Sequence, residues 1–353
     1  MLARMRSSLF VALGCAVVVA ACGSSGSGNG SGSSGSSGGG SGGSSGSSGG
    51  SGGGSGGSSS GSSSSGGSSG GDDGGAAGDY AATIGPIDVP AGVETTKCIV
   101  APFGNTEAVV IQGFDATLAL GSHHLITYLT TAPVQSNPVD CSPFTSVVSG
   151  SDVPLAIIDR KQVDFAMPQG IGIDMPANAN LRIEAHYINT TASDLQGHGL
   201  VTFHTVPKAT APAYQPASFL FYGTALFTIP PNASYSTGPI FQVGPAGTHY
   251  FLAMTHQHRL GTGVDAWGSA KQGDLSNQLV ADTDWSNPSW KLLSPMVSFD
   301  GKSGLTFQCD WTNTTTQSVS FGESALQEMC FVGGYYYPSK GFEFCLNGAC
   351  VFR

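Results

Sequence analysis

Between Cys22 and Tyr80 the chain is almost entirely glycine and serine. A segment of that composition cannot bury enough apolar surface to offset the entropy of ordering it. It reads as a flexible tether, with a root-mean-square reach of roughly 5–6 Å times the square root of its residue count. Of the 353 residues, only about 270 are left to build a packed body, enough for two domains of ordinary size.

The segment ahead of the tether reads as an export signal. "MLARMRSSLFVALGCAVVVAAC" carries Arg4 and Arg6, then a short apolar run, then small residues. That run is too short for a spanning helix and has the layout of a secretory signal peptide. "VAAC" at 19–22 resembles the bacterial lipobox, which implies cleavage before Cys22 and lipidation of that cysteine. Residues 1–21 are then the signal, and 22–81 the lipidated cysteine with its linker. Gly23 rather than Asp follows the cysteine, so in a Gram-negative cell the expected location is the outer membrane, facing the periplasm or the cell surface. The only membrane contact expected is this lipid.

Charge and cysteines narrow the class further. With Arg4 and Arg6 removed, 11 basic residues face 23 acidic ones. No basic cluster is present in the sequence, which argues against nucleic acid as a partner. Cys15 leaves with the signal and Cys22 takes lipid. Six cysteines remain, an even number that points to three disulfides in an exported protein. "CLNGAC" centres Asn347-Gly348, a favoured type I′ hairpin turn, and so sets Cys345 opposite Cys350 at bridging distance.

The body reads as all-β. "EAVVIQGFDATLAL", "HHLITYLT", "NLRIEAHYINTT", "HYFLAMTHQH" and "GLTFQCDWTN" are β-branched or aromatic runs bounded by turn residues. Charged residues are 10% of the chain, too few for amphipathic surface helices. The proline-rich stretch 207–217 reads as a connection between two sandwich-type domains, 82–206 and 218–353.

Of the eight histidines, six lie on these runs. Alternate strand residues share a face, so Leu252, Met254, His256 and His258 lie together, and one metal ion can take both imidazoles. His123 and His124 are adjacent and point apart on a regular strand. A bulge or irregular start is needed to bring them together, and Gly121 permits one. Taken alone, His186 belongs to a solvated polar face with Arg182 and Glu184, and Met329 to core packing. His249, seven residues before His256, falls on the opposite face. His198 and His204 are set aside as ordinary residues.

Together these segments resemble the copper type II, ascorbate-dependent monooxygenases, the peptidylglycine α-hydroxylating and dopamine β-hydroxylating family. The resemblance runs over most of 94–336 through "SHHLITY", "MPQGIGIDMPANANLRIEAHYINT", "THQHRLG" and "GLTFQCDWTNTT…GESALQEMC". It implies two jelly-roll-like sandwiches with a solvent cleft between two coppers. One copper would be held by His123, His124 and His186, the other by His256, His258 and Met329. A thioether favours Cu(I). The implied reaction is hydroxylation of a substrate C–H bond by dioxygen, with electrons from ascorbate or a similar one-electron reductant. The resemblance also implies Cys309–Cys330, and the expected set is completed by Cys345–Cys350 and Cys98–Cys141.

This chain departs from the family where peptide substrates are held. The carboxylate clamp of the peptide-amidating members falls on Met254, Phe331 and Gly333. Met254 and Phe331 are therefore the expected substrate contacts, and a small uncharged substrate is expected because these positions cannot pair a carboxylate. Two other readings compete: a non-catalytic lipoprotein that binds or buffers copper, and a plain β-sandwich binding module.

Overall fold

The structure, a computed structural model, describes residues 78–144 and 152–353. The segment expected to be a signal peptide, Cys22 and nearly all of the glycine–serine tract lie outside the described residues. Every regular element among the described residues is a β-strand, so the all-β expectation holds.

Four sheets of five or six strands dominate. Two are built from strands in the first half. In one, Gly78–Val89, Leu195–Pro207, Val109–Leu118 and Ile171–Met175 are successive neighbours. In the other the order is Gln135–Asp140, Glu94–Pro102, Asn180–Ile188, Ser122–Thr130, Val153–Ile158. The second half adds a sheet in which Trp290–Phe299, Thr248–His256, Phe331–Tyr337 and Ser218–Gly223 pair in that order. Its other large sheet centres on Gly304–Asn313 and Gly261–Ser269. The proline-rich stretch contributes only the short strand Gln215–Pro216, paired with Ile171 and Gly172.

Strand burial explains where a site can form. Leu195–Pro207 alternates buried and half-buried positions over most of its length, the mark of a strand with one face on the core. Thr248–His256 is buried at nearly every position, and Asn180–Ile188 throughout its run from Ile183 to Tyr187. Each is covered on both faces, and these two strands carry His186 and His256.

One apolar core spans both halves. It joins Ile126, Leu155 and Ile183 to Phe219, Phe251, Met254, Met329, Phe331 and Tyr335. The Tyr335 hydroxyl donates to the Leu155 carbonyl across this seam. A second core, around Phe299, Phe307 and Trp311, belongs to the second half alone. Each fully buried large side chain contributes roughly 1.5–3 kcal/mol, so the shared core holds the halves together firmly. The disulfides are Cys98–Cys141, Cys309–Cys330 and Cys345–Cys350.

Candidate metal centre

The centre is assembled from four places in the chain. His123 and His124 open the strand Ser122–Thr130. Its pairing with Asn180–Ile188 slips between Ser122 and His124, so that Ser122 opposes Tyr187 and His124 opposes His186. His123 is the extra residue of that bulge, and a bulge re-aims a side chain. Gly121 just before it has φ +83°, a conformation open to glycine at little cost. The two adjacent imidazoles thereby turn to one place, with ring centres 5.2 Å apart.

His186 completes a first group. Its ring centre lies 5.1 Å from His124 and 5.3 Å from His123. The face it shares with Glu184 is not solvated: Glu184 is 1% and His186 2% exposed. Strand pairing on both sides and the overlying second half cover it. The polar reading of this face in isolation is corrected by that packing.

His256 ends its strand and His258 lies two residues on, with ring centres 5.3 Å apart. Both are buried. Ring centres of His123 lie 5.5 Å from His256 and 4.9 Å from His258. Two groups, His123/His124/His186 and His123/His256/His258, each bring their ligand atoms within 4.8 Å of one another. The solvent cleft implied between two metal positions is thus absent at this point. The shared core closes the halves until five imidazoles form one cluster with His123 at its centre.

Hydrogen bonds decide which nitrogens are free. His258 Nδ1 lies 3.0 Å from the Gln327 carbonyl, which can only accept, so Nδ1 carries the proton and Nε2 keeps the lone pair. His186 Nε2 lies 2.8 Å from a Glu94 carboxylate oxygen, which leaves Nδ1. His256 Nδ1 is 3.6 Å from Asp159, whose other oxygen accepts the Trp290 indole N–H at 3.0 Å. His123 Nε2, His186 Nδ1 and both nitrogens of His124 are buried with no hydrogen-bond partner in the protein.

Burial, reinforced by the neighbouring imidazoles, holds His123 and His124 well below the ordinary imidazole range. Burial likewise lowers His186 against the opposing pull of Glu94, and brings His258 to about 3. These rings are neutral at pH 7 and present lone pairs. Buried imidazoles with unpaired nitrogens fit a metal ion. An imidazole donor set suits copper, as it does zinc, iron or nickel.

Met329 is buried, at 3% exposed, in the segment that clamps His258. Glu328, just before it, accepts from the backbone N–H of His258 and Leu260 and from the Trp311 indole, at 3.0, 2.7 and 2.9 Å. Met254 and Phe331 sit in the shared core at 2% and 3% exposed. The Phe331 ring stacks on Phe221 at 4.4 Å. Across the strands Met254 faces Gly333, where an added Cβ would meet the Phe221 ring at 2.5 Å. His249 hydrogen-bonds Ser298 and its ring lies tilted 5.2 Å from that of Tyr337. His204 lies between Asp79 and Asp115 at the surface.

The cavity that reaches the cluster has a volume of about 270 Å³ and touches His123 and His258. Neither Met254 nor Phe331 lines it. The orienting residues Glu94, Asp159 and Glu328 were not foreseen from the sequence. Only Glu328 had a signal, its place beside Met329 in "QEMC".

A family model described as copper type II ascorbate-dependent monooxygenase, C-terminal domain, matches residues 239–349. The match takes in His256, His258 and Met329 and supports that family, with copper and ascorbate as its cofactors. Curated protein sequences give no match. Among solved structures, the major capsid protein of STIV aligns at 9% identity and TM-score 0.31, over 73% of this chain and 96% of that one. The major capsid protein P2 of bacteriophage PM2 aligns at 10% identity and TM-score 0.31, over 73% and 97%. Likenesses at that level carry no weight for function.

Proposed function

We propose that this chain is a copper-dependent monooxygenase that hydroxylates a C–H bond of a small organic substrate, held to a membrane through lipid on Cys22. One observation carries the reading: five imidazoles, four of them buried and His123 half-buried, gather from the first and second halves, with four of their nitrogens lacking a hydrogen-bond partner in the protein. The family match over 239–349 supports it. His123, His124 and His186 would hold one copper, and His256, His258 and Met329 the other. Copper bound there supplies dioxygen activation, with one electron per ion drawn from an ascorbate-type reductant.

The chain's own residues do the rest. Glu94 and the Gln327 carbonyl fix the tautomers of His186 and His258, and such partners hold metal ligands in place. Glu328 fixes the backbone between His258 and Leu260. The shared core excludes water from the rear of the cluster, leaving approach through the cavity at His123 and His258.

Metal analysis and oxygen uptake test this directly. Purified protein should bind two coppers and consume oxygen with ascorbate in the presence of substrate. Copper bound without oxygen uptake would favour a buffering role, and a preference for zinc would overturn the reading.

A further inference from the structure

The chain carries a net charge of −10, yet three of its 13 Lys and Arg residues line a cavity that opens on the histidine cluster. They are Arg160, Lys161 and Arg259. Arg160 and Lys161 come from the turn between Val153–Ile158 and Gln162–Ala166. Arg259 directly follows His258. Strands from the two halves thus converge three cations on one opening.

Some of the other cations in this protein are ion-paired. Lys97, Arg182 and Lys208 pair with Asp140, Asp152 and Asp174. Among the described residues, no carboxylate lies within ion-pair distance of Arg160, Lys161 or Arg259. Arg160 spends one N–H on the neutral Asn287 side chain at 3.0 Å, which steadies the guanidinium and leaves its charge unpaired. The one acid lining the cavity, Asp159, is turned to Trp290 and His256. Unpaired like charges gathered on an otherwise acidic surface repel one another unless an anion joins them. The same wall carries Trp285 and Ile188, apolar surface for the body of a ligand.

We infer that this cavity binds an organic carboxylate, its anionic end held by Arg160, Lys161 and Arg259 and its apolar body directed past Trp285 toward His123 and His258. The inference rests on the proposed monooxygenase reading only for calling that ligand a substrate. It replaces the expectation of an uncharged substrate, which depended on Met254 and Phe331, because both are sealed in the core. The anchoring position is this chain's own, since no cation occupies Met254.

The test uses a matched pair, 3-phenylpropionate and 3-phenylpropionamide, titrated by calorimetry into the protein as isolated and after metal removal. The acid should bind about tenfold tighter or more, the scale of one charge-assisted hydrogen bond. That preference should survive metal removal and fall toward unity in Arg160→Gln/Arg259→Gln and, in part, in Lys161→Gln. All three sites lie at or near the surface, so folding should be unaffected, with thermal unfolding as the control. Equal binding of acid and amide would overturn the inference. So would a preference that needs copper, which would mean direct metal ligation, or one unchanged in the double variant. Acid preference without ascorbate-driven oxygen uptake would leave the anion site standing and reject the monooxygenase reading, so the two can fail separately.

Discussion

His124 is buried, and neither of its ring nitrogens has a hydrogen-bond partner in the protein; the Glu184 carboxylate stands 3.8 Å from Nε2. Leaving such a group unsatisfied costs roughly 1–3 kcal/mol, a cost that ligation would remove. The same reasoning applies to His123 and His186, and it yields predictions residue by residue. Replacing His258 by Ala should lower copper from two equivalents to one and abolish turnover; two coppers retained would contradict its role. Met329→His should keep copper, since imidazole is a good ligand, and lose most hydroxylation with the soft donor. Unchanged activity would make Met329 packing alone. Glu94 touches no metal position, but it accepts from His186 and also from the Ala325 backbone and the Ser324 hydroxyl, at 2.9 and 3.0 Å. Glu94→Ala should weaken copper at the first group about 10–100-fold, read by competition with a chelator. Affinity equal to wild type would show that His186 is held by packing without it.

At the scale of elements, the C-terminal hairpin offers a pH test far from the histidines. Glu343, 3% exposed, begins the strand Glu343–Leu346. Burial raises its carboxyl from 4.5 to about 7. Between those values the folded chain keeps a proton that the unfolded chain has released. Stability therefore falls as pH rises through that window, and the loss is complete above about 7. Glu343→Gln cannot ionise. It should match wild type near pH 4.5 and exceed it at pH 8 by up to about 3 kcal/mol. Urea unfolding at the two pH values decides, and identical pH slopes would count against it. This hairpin was legible in the sequence because its signal is local: Asn347 and Gly348 both have positive φ, 55° and 79°, as a type I′ turn requires, and Cys345 faces Cys350. The bulge at His123 was half legible, through Gly121. The buried face of Asn180–Ile188 was not, because its polar residues are covered by other strands and periodicity cannot see them. The basic cavity was equally hidden, since Arg160, Lys161 and Arg259 meet only through the fold.

Across the whole molecule, the closeness of the two halves is the most consequential feature. Three kinds of contact close it near the histidines: the Glu94 bonds to Ser324 and Ala325, the Trp290 indole on Asp159, and Arg160 on Asn287. Behind them lies the apolar core shared by Phe165, Tyr335 and Trp290, whose rings meet at 5.5 and 6.1 Å. Polar ties at a surface seam are each worth about 1 kcal/mol, whereas the shared aromatic core is worth several such bonds. The closed arrangement should therefore persist in solution. Two Cu(II) ions held by histidines placed this close would have interacting unpaired electrons. The EPR signal of the oxidised, copper-loaded protein should then integrate to clearly less than its copper content, or show a half-field transition. Trp290→Ala removes a ring from the seam and the indole bond to Asp159, and should restore intensity toward two independent spins by letting the halves part. Full intensity from two isolated coppers in the unaltered protein would mean that the halves stand apart when metal is bound, and that His123 serves only its own group.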